Sequence, residues 1–169
     1  DQEWIYDPTP DFTYGFNIYF EYKNFDFTAF FQGVQGVDII SDLKKETDIW
    51  AGLNIGFLNK GRRLLDAWSA TNPNSNIPAV SLSDNNNEKR VSSYWVENGS
   101  YLKLRTVQIG YNVPKSFAQK LAMERLRFYL SAQNLFTVKS SSFTGVDPEN
   151  PNYGYPIPLN ITFGLNVTF

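Results

Sequence analysis

The chain has 169 residues, a net charge of −2 and a pI near 5.1, which suits one ordinary domain and gives no electrostatic footprint for nucleic acid. It contains no Cys, which excludes disulfides and thiolate metal sites, and no His, which removes the commonest general base and metal ligand. Aromatic residues make up 17% of the chain while mean hydropathy is −0.35, a combination typical of alternating strands joined by polar loops.

Alternating apolar and polar residues predict a hairpin near the start of the sequence. In the first strand, 11–23, every second residue is apolar, and the same period continues through a second strand, 25–34. The intervening Lys23-Asn24 forms a tight turn, in which Asn24 is suited to positive φ. The two strands are therefore expected to be antiparallel neighbours.

Residues 35–99 lose this alternation and are predicted to form a long loop. Charged residues cluster there, and the Asn-Pro-Asn motif Asn72–Asn74 lies in a run of turn-forming residues. Helical spacing of apolar residues predicts one short helix near Arg62–Trp68. A connection of this length is uncommon in a compact soluble domain.

Three further strands are predicted over 100–113, 125–138 and 157–169. The apolar phase of the first of them switches near Thr106, which indicates a β-bulge or a strand whose outer half projects above a bilayer. Residues 139–156 are rich in Ser, Gly, Pro and Asn, and they predict a second long loop.

The last strand has two different faces, one apolar and the other polar without any charge. The apolar phase contains Leu159, Ile161, Phe163, Leu165, Val167 and Phe169, and the polar phase contains Asn160, Thr162, Gly164, Asn166 and Thr168. Such a strand suits lipid on one side and a wet lumen on the other. A period of two also fits a soluble β-sandwich, which therefore remains an alternative.

The lengths of the connections alternate along the chain. The short connections 23–24 and 114–124 meet one end of the predicted strands, whereas 35–99 and 139–156 meet the other end. Outer-membrane barrels have short periplasmic turns and long extracellular loops. The sequence therefore predicts an all-β fold, namely five strands of an antiparallel transmembrane β-barrel.

No catalytic constellation is present in the sequence. A Ser–His pair needs the His that the chain lacks, so the protein is expected not to be an enzyme, and no metal or cofactor site is predicted. The loop carboxylates lack the ligand spacing of a known calcium loop, so they are expected to be solvated. These carboxylates are Asp38, Asp42, Asp48, Asp147 and Glu149.

The final residues resemble the C-terminal assembly signal of bacterial outer-membrane barrels. That signal has a polar residue, a glycine, an apolar residue and a terminal aromatic residue at fixed spacing, and Thr162, Gly164, Val167 and Phe169 fill these positions. A soluble domain gains little from a terminal aromatic residue, because chain ends usually fray. These four residues are therefore predicted to direct insertion into the outer membrane.

Longer segments resemble the SusC/RagA-type TonB-dependent transporters. Ser100–Pro114 and Leu126–Thr137 are similar to late strands of that family. Asn72–Asn74 and Asp147–Glu149 stand where the family has similar loop motifs. The resemblance is strongest over 94–169.

The resemblance implies the last five strands of a 22-stranded barrel in the bacterial outer membrane. The family also has an N-terminal plug, a SusD-like lipoprotein lid and a contact with TonB, and it imports oligosaccharides or peptides. Since the sequence opens on Asp1 without a signal peptide or plug, it is expected to be a C-terminal fragment. The rival interpretations are another outer-membrane barrel, such as a porin or adhesin translocator, and a soluble β-sandwich binding module.

Four aromatic residues of the long loops are candidate contacts to a ligand or to the lid: Trp50, Trp68, Tyr153 and Tyr155. Their rings suit stacking on a sugar or packing on a peptide, although ordinary loop packing uses the same residues. Four strand aromatics are instead assigned to the aromatic girdles that flank an apolar band: Tyr14, Tyr22, Tyr111 and Phe128.

Overall fold

The structure is a computed structural model that describes residues 3–48, 60–81, 87, 90–151 and 154–169. Most of the regular structure in these ranges is antiparallel β-sheet, so the predicted all-β class is confirmed. No helix in the described ranges is long and apolar enough to cross a membrane.

Five long strands form the main sheet, in the spatial order β1-β2-β5-β6-β7. Their bounds are β1 Phe12–Tyr22, β2 Phe25–Gln35, β5 Tyr101–Asn112, β6 Arg125–Lys139 and β7 Asn160–Thr168. Each strand pairs antiparallel with its neighbour in this order. The strands coincide with the predicted ranges to within three residues at each end.

The long connection between β2 and β5 contains structure that its sequence does not reveal. A second sheet pairs β3 (Asp38–Ile40) with β4 (Val96–Asn98), and helix α1 (Asp42–Asp48) follows β3. The helix predicted near 62–68 is a 3₁₀ turn over Arg62–Asp66. Strands of three residues are too short to show a period of two in the sequence. The sequence of this connection therefore predicts a loop without strands.

The register of the main sheet aligns residues of one character across all five strands. One row is wholly apolar: Phe20, Phe27, Ile109, Leu130 and Phe163. The adjacent row on the opposite face is polar: Tyr19, Thr28, Gln108, Ser131 and Thr162. Because successive side chains of a strand point to opposite faces, these rows define an apolar face and a polar face.

The change of phase near Thr106 is a β-bulge. Phe30 of β2 pairs with Thr106, but the next residue, Phe31, pairs with Leu104, so Arg105 is the extra residue of β5. The bulge returns Leu104 to the apolar face, which keeps that face continuous past the switch. β6 is irregular at the same level, where Asn134 has a φ of 55°.

Short connections join the strands at the end of the sheet that lies away from the long connections. The β1–β2 turn has its positive φ at Lys23, at 55°, rather than at Asn24 as the sequence suggests. Between β5 and β6 lies helix α2 (Lys115–Ala118), which continues as a 3₁₀ turn over Gln119–Leu121. The long connections therefore emerge together from one end of the sheet, and the short ones from the other.

Candidate functional site

The two long connections fold against each other where they leave the sheet. Phe143, between β6 and β7, and Trp95, beside β4, are both buried. The backbone N–H and hydroxyl of Thr144 donate hydrogen bonds to the carboxylate of Glu97, at 3.0 and 2.8 Å. We call the joined unit, which consists of β3, α1, β4 and residues 140–151, the loop platform.

A buried carboxylate and a half-buried ammonium group lie at the centre of the loop platform. Lys44 Nζ lies 3.8 Å from Glu97 Oε1 and 4.2 Å from the centroid of the Tyr94 ring, and it donates to the backbone carbonyl of Tyr94. Burial lowers the pKa of Lys44, although the negative charge of Glu97 opposes that shift. These contacts fix α1 against β4.

Asp48 ends α1 and is buried, contrary to the expectation that the loop carboxylates are solvated. Arg63 donates to both of its carboxylate oxygens, with an Nε to Oδ1 distance of 2.8 Å for one of the two bonds. The Tyr94 hydroxyl donates to Oδ2. Burial, followed by the hydrogen bond to Asp48, raises the pKa of Tyr94. The 3₁₀ turn is thereby tied to the platform.

The polar face of β5 holds the loop platform through a completely buried lysine. Lys103 Nζ donates to Asp147 Oδ2 at 2.7 Å and to Glu149 Oε2 at 2.5 Å. Arg105, the extra residue of the bulge, also donates to Glu149. We call this set, Lys103 and Arg105 with Asp147 and Glu149, the carboxylate latch. Two positive and two negative charges compensate each other there, which burial of an ionic group requires.

Neighbouring polar groups orient the carboxylate latch. Arg105 Nε donates to Gln32 Oε1 of β2 at 2.8 Å, and the Tyr101 hydroxyl donates to Glu149 Oε1 at 2.7 Å. Burial alone would raise the pKa of Glu149, but hydrogen bonds from Lys103, Tyr101 and Arg105 outweigh it, so that pKa is lowered.

The expectation of solvated charge is therefore wrong for Asp147 and Glu149 as well. The sequence did hold a signal for this arrangement. Lys103 and Arg105 are basic residues within an otherwise uncharged strand, and the Asp-Pro-Glu motif supplies two carboxylates at a matching spacing. What the sequence cannot show is that the loop turns back onto the sheet.

A cleft of about 450 Å³ opens beside the loop platform, between α1 and the connection that leads to β7. Its lining is mostly apolar and contains Leu43, Val146, Asn150, Pro151, Tyr155 and Pro156. Clefts with an apolar lining and a few polar groups are the usual form of a ligand site.

Among the four candidate contact residues, the structure brings Tyr155 to this cleft, with 96% of its surface exposed. Trp68 is 49% exposed and lies outside the cleft lining. Trp50 and Tyr153 lie outside the described residues. Within the described ranges, no group of three or more His, Cys, Asp or Glu side chains is arranged to hold a metal ion.

The residues of the terminal pattern lie on β7 and just beyond it. Thr162 and Gly164 belong to the polar face, and Phe169 is exposed. Gly164 faces Tyr129 of β6, and a Cβ at this position would overlap the tyrosine ring. The role of these residues in membrane insertion remains a prediction.

Comparison with known proteins identifies the family. A scan against models of known protein families finds no match. TonB-dependent receptor P3 of Formosa agariphila is 38% identical over 185 residues that include the whole of this chain. TonB-dependent receptor P26 of the same organism is 34% identical over 180 residues, which cover 96% of this chain. The chain spans 17% of the length of each of these curated relatives.

Solved structures give the same result. The RagAB peptide importer in its open-open state matches with a TM-score of 0.78 and 27% identity, over 97% of this chain and 18% of that one. A RagAB peptide transporter structure matches with a TM-score of 0.75 and 28% identity, with the same coverage. The chain belongs to the SusC/RagA-type TonB-dependent receptors, of which it is a C-terminal fragment. The resemblance seen in the sequence is thereby confirmed, and the relatives of this receptor fragment are named as receptors and importers.

Proposed function

We propose that the whole protein is a TonB-dependent importer in the bacterial outer membrane, which takes up oligosaccharides or peptides with a SusD-like lipoprotein. The observation that carries this proposal is the two-faced sheet, in which an apolar row crosses all five strands beside a polar row. A wall between lipid and a wet lumen requires this arrangement.

Aromatic residues at both ends of the apolar face support a membrane-spanning wall. Tyr22, Phe25, Tyr111 and Phe128 occupy one row near the short turns, and Tyr14 lies near the long connections. Tyr14 and Tyr22 are eight positions apart in β1, which corresponds to about 27 Å along a strand. With a tilt of about 40° this distance gives roughly 21 Å of height, close to the ~25 Å apolar band of outer-membrane barrels.

The edges of the sheet support further strands in the complete protein. Among the described residues, β1 and β7 each pair with a neighbour on one side only. Open edges are not tolerated in lipid, because their backbone groups have no partners. We therefore propose that these five strands complete a closed barrel of 22 strands, with a plug and a TonB-contacting segment elsewhere in the protein.

The positions of the connections support an orientation for the receptor. The loop platform lies at the end of the sheet with long connections, and helix α2 lies at the opposite end. Long loops are extracellular in outer-membrane barrels, so the platform and its cleft would face the medium. There Tyr155 would contact the ligand or the lipoprotein lid.

Uptake by the full-length receptor tests this function. Cells that express it with its lipoprotein should accumulate a labelled oligosaccharide or peptide mixture, and deletion of TonB should abolish the accumulation. Uptake that persists without TonB would favour a porin. A receptor that is recovered in a soluble fraction, without detergent, would favour a binding module instead.

A further inference from the structure

Near the short turns, one row of the polar face contains two glycines that give space to larger neighbours. The row contains Glu21, Asp26, Gly110, Tyr129 and Gly164, one residue from each strand of the main sheet. Each glycine is the only one in its strand. Glycine within a strand weakens it unless another group uses the space.

At Gly164 the space is used by the aromatic ring of Tyr129. The two residues are direct register partners in β6 and β7, and a Cβ on Gly164 would overlap the ring and the hydroxyl of Tyr129. The ring lies with its centroid 5.5 Å from the guanidinium carbon of Arg127. The ring of Tyr129 therefore lies close to both Gly164 and Arg127.

At Gly110 the space is used by an ion pair that crosses over β5. Arg127 of β6 donates to both carboxylate oxygens of Asp26 of β2, with an Nε to Oδ2 distance of 2.9 Å. Asn112 Nδ2 donates to the same Oδ2 at 3.1 Å. A Cβ on Gly110 would overlap both charged groups. The pair thus joins two strands that are not neighbours in the sheet.

The space left by a glycine can select a strand register that the hydrophobic pattern alone cannot select. A slip of one residue would turn every apolar side chain to the wrong face, but a slip of two residues would keep both faces. In β7 a slip of two would bring Thr162 or Asn166 opposite Tyr129 in place of Gly164. Both of these residues have a Cβ, so neither leaves the space that the ring of Tyr129 occupies beside Gly164.

We propose that Gly164 acts in assembly through Tyr129, and that these two residues with Gly110, Arg127 and Asp26 form a register lock for the last strands. The residues of the terminal pattern lie on β7 or just beyond it. The residues of the register lock belong to four strands, β2, β5, β6 and β7. This inference rests on the proposed function, in which the strands assemble into an outer-membrane barrel.

A double-mutant cycle in the full-length receptor tests the lock. The readout is the fraction of receptor that reaches the outer membrane in a folded, heat-modifiable form. Gly164→Ala should lower that fraction severalfold, whereas Tyr129→Phe, which keeps the ring, should leave it unchanged. In a Tyr129→Ala background, Gly164→Ala should have little further effect. Gly61→Ala is the matched control, because the nearest atoms to a Cβ there lie at an ordinary 3.5 Å.

Cysteine cross-links report the register directly, and the chain contains no cysteine of its own. The pair Ser131→Cys and Thr162→Cys tests the observed register, in which these residues are partners. The pair Ser131→Cys and Asn160→Cys reports the slip of two residues that brings Thr162 opposite Tyr129. In the presence of Gly164→Ala, the second pair should begin to cross-link at the expense of the first.

Two results would overturn the lock. One is an equal loss from Gly164→Ala with and without the Tyr129 ring, and the other is exclusive cross-linking of the 131–162 pair in Gly164→Ala. If Tyr129→Ala folds too poorly to measure, the cross-links in Gly164→Ala decide alone. Absence of the unmutated receptor from the outer membrane would instead contradict the proposed function, and the cross-links would still report the register in the folded fraction.

Discussion

The main sheet and the loop platform are stabilised in different ways. In the sheet, apolar side chains pair with apolar side chains on the neighbouring strands, and this pattern repeats in successive rows. In the platform, a few buried charges hold connections that have little regular structure, most of all Lys103 and Glu97. A repeated pattern tolerates the loss of one contact, whereas a buried charge without its partner is costly.

The largest effect of a single substitution is therefore expected in the carboxylate latch. Lys103→Met would leave the buried Asp147 without its cation, whereas Glu149 would keep its ion pair with Arg105 and its hydrogen bond from the Tyr101 hydroxyl. The free energy of opening of residues 143–151 should fall by about 3–5 kcal/mol, the usual cost of breaking a buried ion pair. Hydrogen exchange of the full-length receptor in detergent measures this loss, and protection of β6 should remain.

An exposed ion pair of the same platform is the matched control for that substitution. Lys45 pairs with Asp42 at 3.1 Å on the surface of α1, where the two side chains are 36% and 50% exposed. Lys45→Met should cost less than about 1 kcal/mol. Equal losses at positions 45 and 103 would contradict the importance assigned to the buried latch.

The next largest effect is expected on the apolar face of the sheet. Leu130 lies in the wholly apolar row, and Ser131 lies in the adjacent polar row. Leu130→Arg should destabilise the inserted receptor by about 2–4 kcal/mol, because it places a charge in lipid. Ser131→Arg should cost much less. Urea unfolding of receptor refolded into vesicles measures both, and equal costs would remove the distinction between the faces.

Acid should open the loop platform before it affects the sheet. The pKa of Glu149 is lowered in the folded state, so the unfolded loop binds a proton more readily than the folded loop does. The contribution of Glu149 is fully present above its unfolded pKa of about 4.3 and is lost as the pH falls through its lower folded pKa.

Hydrogen-exchange protection of residues 143–151, corrected for intrinsic rates, should thus be constant from about pH 7 to pH 5 and should fall below about pH 4. In Glu149→Gln the platform should be less protected at neutral pH, and its acid sensitivity should be smaller. An unchanged acid response in that variant would show that another group controls the opening.

The smallest effect on stability is expected in the cleft. Tyr155 is almost fully exposed, so Tyr155→Ala should change the stability of the receptor by less than about 0.5 kcal/mol. The binding free energy of the receptor for its ligand or for the lipoprotein should weaken by about 0.5–1.5 kcal/mol if the ring of Tyr155 packs on either partner. Calorimetric titration measures the change. A loss with Trp68→Ala but none with Tyr155→Ala would place the contact outside the cleft.

The contrast between the main sheet and the loop platform also explains how much of the fold could be predicted from the sequence. The strands were predictable because each is at least nine residues long and alternates with a period of two over most of that length, although the phase changes in β5 near Thr106. The pairing of β3 with β4 was not, because three residues carry no period and their partners lie more than 50 positions apart. Among the contact candidates, Tyr155 reaches a cleft because of how the loop folds, which composition does not encode.

The buried charges show the same limit at the level of single residues. Asp48 and Asp147 look like solvated loop charge in the sequence, and only the fold reveals that Arg63 and Lys103 lie beside them. The bulge was visible as a change of phase near Thr106. Its consequence, that Arg105 joins Lys103 on the polar face, depends on the register with β2 and on hydrogen bonds to Gln32 and Glu149.

The central claim is that one face of the main sheet meets lipid and the other meets water. Spin labels on single cysteines at positions 130 and 131 of the full-length receptor, reconstituted in bilayers, test it most directly. The label at position 130 should be accessible to molecular oxygen and protected from a water-soluble nickel chelate, and the label at 131 should show the reverse. Equal accessibility of both labels to the chelate would contradict the claim.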